Sequence, residues 1–237
     1  MRSSRKSIRA VEHRRLPIRI VRPGDSCYPS TLAIHQGIGH PLPFTAIGNL
    51  RLLEDRLIGL VCSARCPGPV ILEMHDVVSS IDPEGWVVVG GFHSPMERQC
   101  LEVLIARRVP VVFCAARPLE GMRIPVAWRT PLAEDRILIL SPFLEGNRRA
   151  TKGTASHRNR FVAALASVLL IPYARAGGVA EAIARLAVNW RKGVVTVSVN
   201  DQPLMQEIGA GTLAHLETIS RSERRRKIGA TLVLTPE

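Results

Sequence analysis

From about residue 57 onward the sequence alternates short apolar runs with amphipathic stretches, and few folds accept that order. The runs are "RLIGLVC" (56–62), "WVVVG" (86–90), "VPVVFCA" (109–115), "RILIL" (136–140), "VLLIP" (168–172) and "GVVTVSV" (193–199). Apolar on both faces and short, they suit strands of a parallel sheet covered on both sides. Between them, Met96, Cys100, Leu101, Leu104 and Ile105 fall on one helical stripe after Ser94. Phe161 to Leu165, and then Val179, Ile183, Leu186 and Ala187, repeat it. The alternation predicts an α/β fold: a Rossmann-like, doubly wound, mostly parallel sheet with helices on both faces and right-handed crossovers. Residues 21–50, with Pro23, Pro29, Pro41 and Pro43, read as an irregular leading segment with a short helix at most. The polar stretch "NRRATKGTASHRNR" (147–160) reads as a basic loop before its helix.

At 237 residues the chain is long enough for one domain with a real core. We assign a basic N-terminal arm (1–20), a Rossmann-like domain (21–215) and a basic C-terminal extension (216–237). The net charge of +12 is uneven: residues 1–19 carry seven Arg/Lys against one Glu, and "RSERRRK" (221–227) five against one. The core is nearly neutral, so polyanion binding needs the basic residues to lie beside a defined site. No apolar run approaches the ~18 residues of a membrane span. The start lacks the apolar middle of a secretory signal; it is Arg- and Ser-rich, as organelle transit peptides are, but nothing downstream demands that. Five irregularly spaced cysteines, with no second Cys/His pair near Cys62 and Cys66, give no zinc signature and suit a reducing cytoplasm. No cofactor or metal is expected.

The stretch "GWVVVGGFHSPMERQC" (85–100) runs a strand into Gly90 and Gly91 and then into a helix. Ser94 caps that helix, Pro95 takes its first position, and Glu97 completes a capping box. The carboxylate of Glu97 repels a phosphate on the helix axis, so the pair reads more as a structural corner than as a ligand turn. A second pair, Gly177 and Gly178 in "IPYARAGGVAEAIARL" (171–186), opens another helix, where bare amides and Arg175 favour an anion. Neither matches a dinucleotide or P-loop pattern. In "SHRNRF" (156–161), His157, Arg158 and Arg160 crowd an expected helix start behind Arg148, Arg149 and Lys152. That cluster belongs at the carboxyl ends of the strands, where open α/β sheets place their ligands. His93 is the one histidine beside a plausible site, and Ser63 and Ser94 lack an evident partner base.

"CYPSTLAI", "LPFTAIGNL", "GWVVVGGFHSP", "RILILSPF", "HRNRFVAALASVLLIPYA", "GGVAEAIARL", "VVTV" and "LMQEIGA" follow one another in an order that resembles the DprA/Smf family of DNA-processing proteins. The resemblance spans about residues 27–210, and its most specific element is Arg158-Asn159-Arg160 before an apolar helix and strand. It implies a Rossmann-like domain that binds single-stranded DNA without catalysis, forms a homodimer and helps load a RecA-type recombinase during transformation. It also implies that Arg158 and Arg160 contact phosphates and that Gly90 and Gly91 line the same pocket. The expected nucleic-acid or phosphate site gathers Ser63, Arg65, Gly90, Gly91, His93, Ser94, Arg158, Asn159, Arg160, Gly177 and Gly178. The sequence departs from the family where "VCSAR" has Cys62 for a glycine, where "GGFHSPME" has Glu97 for an aspartate, and at "AGGVAE". The alternatives are a nucleoside-monophosphate phosphoribohydrolase-like enzyme, which shares two glycines with "AGGVAEA", and a mononucleotide-binding sensor using Gly177–Gly178.

Overall fold

Valine-rich runs without polar interruption have one stable destination, the middle of a sheet covered on both faces. In the computed structural model, which describes residues 17–35, 41–146, 148–197 and 202–212, they pair into a nine-stranded sheet. Its strands are β1 (Arg19–Val21), β2 (Phe44–Gly48), β3 (Leu57–Leu60), β4 (Val87–Gly90), β5 (Val111–Cys114), β6 (Ile137–Ser141), β7 (Val168–Leu170), β8 (Gly193–Thr196) and β9 (Gly211–Thr212). The order is β1-β2-β6-β5-β4-β3-β7-β8-β9, parallel from β6 to β9 and antiparallel at β1 and β2. The Rossmann-like, mostly parallel sheet expected from the sequence is therefore what the chain forms. The chain winds outward from β3 to β6 and then returns to the other side of β3 to begin β7. That reversal leaves a crevice at the carboxyl ends of β3 and β7.

Alternate residues of each strand feed the two cores. Leu57, Val87, Val89, Val112 and Leu138 face α1 (Ser30–His35), α5 (Lys152–Leu165) and α6 (Val179–Asn189). Ile58, Val88 and Val111 face α2 (Gly68–Ser80) and α3 (Pro95–Ala106), while Ile137 and Ile139 meet α4 (Val126–Ala133). A short α7 (Pro203–Ile208) packs Met205 and Ile208 beside α6. No helix of the described residues is long and apolar enough to cross a membrane.

Two expectations need correction. The leading segment 21–50 is not irregular apart from a short helix: it holds β2, whose Thr45 pairs with Ser141 and whose Ala46 pairs with Leu140. Residues 152–160 are not loop but the first turns of α5. Thr151 is the N-cap, its hydroxyl accepting from Thr154 N–H at 3.2 Å while Thr154 Oγ1 accepts from Thr151 N–H at 2.9 Å. A threonine thus does the work that glutamate does in the common capping box. Most of the basic N-terminal arm and all of the C-terminal extension lie outside the described residues, as does the end of the apolar run 193–199.

Candidate nucleic-acid interface

Five connections leave the carboxyl ends of β3 to β7, and they define the rim where the expected site residues meet. At the first glycine corner, β4 ends at Gly90 and the chain turns through Gly91, Phe92 and His93 to the N-cap Ser94. Both capping-box bonds form, as the sequence indicates: Ser94 Oγ accepts from Glu97 N–H at 3.2 Å, and Glu97 Oε2 accepts from Ser94 N–H at 3.0 Å. The carboxylate also reaches further. Glu97 Oε2 accepts from His93 N–H at 2.7 Å, and Oε1 accepts from Cys62 N–H at 2.8 Å, just past the end of β3. The corner is therefore structural. Its amides already hold an anion, and that anion belongs to the chain.

Arg158 closes the same corner from behind. It sits two turns into α5 rather than at the helix start, and only 5 % of it is exposed. Its Nη1 donates to Cys114 O at 3.2 Å and its Nε to Asn159 Oδ1 at 2.8 Å. Burial pushes the guanidinium pKa down, while the Cys114 thiol and Glu97 oppose that shift. Arg158 thus turns toward the sheet with Asn159 Oδ1 on its Nε, whereas Arg160, on the same helix, is exposed. His157 is half-buried against Phe143, ring centroids 5.3 Å apart.

The β3 and β7 connections are stitched together across the crevice. Ser63 N–H donates to Tyr173 O at 3.1 Å, and Ser63 Oγ accepts from Arg175 N–H at 3.0 Å. Arg65 is exposed on the β3 connection. Gly177, with φ of 70°, turns its N–H onto Glu181 Oε2 at 2.6 Å, and Gly178 is the N-cap of α6. Arg185 holds Glu181 in place at 2.8 Å, and hydrogen bonds from Arg185 and Gly177 lower the Glu181 pKa. The second glycine turn is thus also occupied by a carboxylate of the chain.

Two buried thiols offer little reactivity. Burial pushes Cys114 and Cys100 up to about 12. Cys62, whose thiol donates to Tyr173 O at 3.7 Å, is raised by its neighbour Cys66 and by burial, and the same pairing lowers the Cys66 pKa. Among the described residues no three His, Cys, Asp or Glu side chains form a group that could hold a metal ion.

Charge divides the two edges of the sheet. The connections leaving β3 to β7 (61–67, 91–94, 115–125, 142–151, 171–178) carry six arginines, namely Arg65, Arg117, Arg123, Arg148, Arg149 and Arg175, against Glu120 and Glu145. Those entering the same strands (54–56, 81–86, 107–110, 134–136, 166–167) carry four arginines against six carboxylates. The densest part lies beyond β5 and β6. Arg117 Nη1 donates to Arg148 O at 3.2 Å, Ser141 Oγ donates to Arg117 O at 2.8 Å, and Lys152 follows exposed at the start of α5. None of the ion pairs among the described residues involves Arg117, Arg148, Lys152 or Arg160. The structure thus gathers Ser63, Arg65, Gly90, Gly91, His93, Ser94, Gly177 and Gly178 around the crevice and sets Arg160 on the α5 side. Sequence reasoning missed Arg117 and Phe143, since each stands alone in a loop: the β5–β6 pairing brings Arg117 to Arg148, and the return of the β6–α5 connection brings Phe143 to His157.

Comparison with known proteins follows the same outline. The family model for DNA recombination-mediator protein A matches residues 19–220. No curated protein is a significant match to the sequence. The fold is similar to that of DNA processing protein A from Streptococcus pneumoniae, at 18% identity and a TM-score of 0.67, covering 90% of this chain and 75% of that one. It is equally similar to DNA processing protein A from Helicobacter pylori, at 18% identity and a TM-score of 0.67, covering 86% of this chain and 94% of that one. The Helicobacter pylori structure is described as showing a unique single-stranded DNA binding mode.

Proposed function

Because the chain belongs to the DNA recombination-mediator protein A family, we propose that it binds single-stranded DNA without cutting it, along the rim formed by the carboxyl-end connections. The observation that carries this reading is the charge contrast between the two edges of one sheet: six arginines against two carboxylates where ligands sit, four against six where they do not. Phosphates supply affinity to such a surface and carry no base information, so binding is insensitive to sequence. With aromatic residues at 4% of the chain, charge outweighs stacking, and Phe143 with His157 is the aromatic pair nearest the basic cluster.

Arg148, Arg149, Lys152 and Arg160 are the cations we assign to phosphate contact. Arg158 instead supports the rim from within, since its guanidinium is spent on Cys114 and Asn159. The hydroxyls of Ser63 and Ser94 accept backbone N–H groups, an arrangement that suits turns rather than nucleophiles. Thiols free of disulfides suit a reducing cytoplasm. A RecA-type recombinase partner and a homodimer follow from the family resemblance.

The mononucleotide readings, hydrolase or sensor, have less support because Glu97 and Glu181 already occupy the amides at both glycine turns. A titration of the full chain with a single-stranded oligonucleotide, the matching duplex and AMP tests the choice. Tightest binding to the single strand is expected. Saturable AMP binding without oligonucleotide binding, or release of free base from AMP, would replace this reading.

A further inference from the structure

The β3 lip of the crevice where the winding of the sheet reverses carries an anion that the chain itself supplies. Glu97 is 6 % exposed, and its two oxygens share the amides of Cys62, His93 and Ser94 at 2.8, 2.7 and 3.0 Å. Ser94 alone would make an ordinary capping box. The other two donors are extra, and Cys62 comes from the end of a different strand, β3. Three backbone N–H groups converging at the carboxyl ends of adjacent parallel strands are the donor set with which open α/β sheets hold a ligand phosphate. Here a carboxylate on the first turn of α3 fills that set. Its tether gives it a high effective concentration against any free anion, and its charge repels one.

We propose that Glu97 is a resident anion that closes this crevice to the phosphate of a mononucleotide, so that the protein selects polyanions held on the outer rim. The polymer half of the inference rests on the DNA-binding reading above; the closure of the crevice does not. Closure also explains why a helix start preceded by two glycines offers no phosphate turn: the three convergent amides are in place, but Glu97 holds them.

The test uses the full chain as wild type, Glu97→Ala and Glu97→Gln, unfolded by heat in sodium sulfate and in sodium chloride at matched ionic strength. Removing the carboxylate frees three amides that sulfate can occupy. Sulfate at about ten times its dissociation constant should therefore raise the unfolding temperature of Glu97→Ala by about 4 °C more than that of wild type. Glu97→Gln, which keeps one acceptor oxygen, should fall between them. Equal shifts in all three proteins would overturn the proposal. If Glu97→Ala does not refold in chloride, its recovery in sulfate is read instead, and Glu97→Gln carries the comparison with wild type. In equilibrium dialysis AMP should be retained by the variants more strongly than by wild type, and retention by wild type at least as strong would also overturn it. Failure of wild type to bind an oligonucleotide, with the sulfate result intact, would sink the DNA-binding reading and leave the role of Glu97 standing.

Discussion

The guanidinium of Arg158 lies so close to the backbone of Gly91 that a β-carbon at position 91 would stand 1.6 Å from Nη1 and 1.9 Å from Cζ. Glycine is required there for the approach, not for its turn. The arginine is thereby held at the end of β5, on the Cys114 carbonyl, and keeps the β4–α3 corner packed against α5.

Gly91→Ala should therefore displace Arg158 and leave the buried Cys114 carbonyl unpaired. The expected loss is about 1–3 kcal/mol in chemical denaturation. Arg158→Met, which keeps the aliphatic stem, should lower stability similarly while leaving oligonucleotide affinity at low salt unchanged. A large loss of affinity in a stably folded Arg158→Met would return Arg158 to direct phosphate contact.

Lys192 caps the carboxyl end of α5 from outside the helix. Its Nζ donates to the carbonyls of Ala163, Ala164 and Ala166 at 2.8, 2.7 and 2.7 Å. These are carbonyls that a helix end leaves without partners. Lys192→Met should cost about 1–3 kcal/mol, and hydrogen exchange should rise first in the last turn of α5. A variant as stable as wild type would show that water serves those carbonyls equally well.

His157 gives the stability a pH dependence of known sign. Burial, and then the charge of Arg160, hold its pKa below the ordinary histidine value. As pH falls through about 6.5, the unfolded chain takes up the proton before the folded one does. The contribution of His157 is thus fully present above that pH and is lost below it. Between about pH 7 and about pH 5 the unfolding temperature of wild type should fall further than that of His157→Gln. Parallel falls would contradict the assignment.

The sequence disclosed the central strands and the α3 cap because those signals are local. A β-branched run must be buried on both faces, and Ser94, Pro95 and Glu97 sit at fixed offsets along one chain. β2 escaped because "FTAIG" becomes a strand only through β6, which supplies Ser141 opposite Thr45. The start of α5 escaped because Thr151 is answered by Thr154 rather than by an acid. α4 gave no stripe, and Pro131 lies within it. At the site, the residue types were legible but their directions were not. Arg158 and Arg160 look alike in "HRNRF", yet two positions on a helix turn them to different sides, one into the core and one to solvent. The reach of Glu97 to Cys62 was equally hidden, because it depends on β3 and β4 being neighbours.

If the rim beyond β5 and β6 holds DNA by its phosphates, the salt dependence of single-strand binding must show it most directly. Wild type should show a steep linear fall of log affinity with log salt. Replacing Arg148, Arg149 and Lys152 together by alanine should weaken binding of all sequences alike and flatten that slope by about 2, at about 0.7 for each phosphate no longer neutralised. A slope unchanged in the triple variant, or a wild type whose affinity does not respond to salt, would contradict the account.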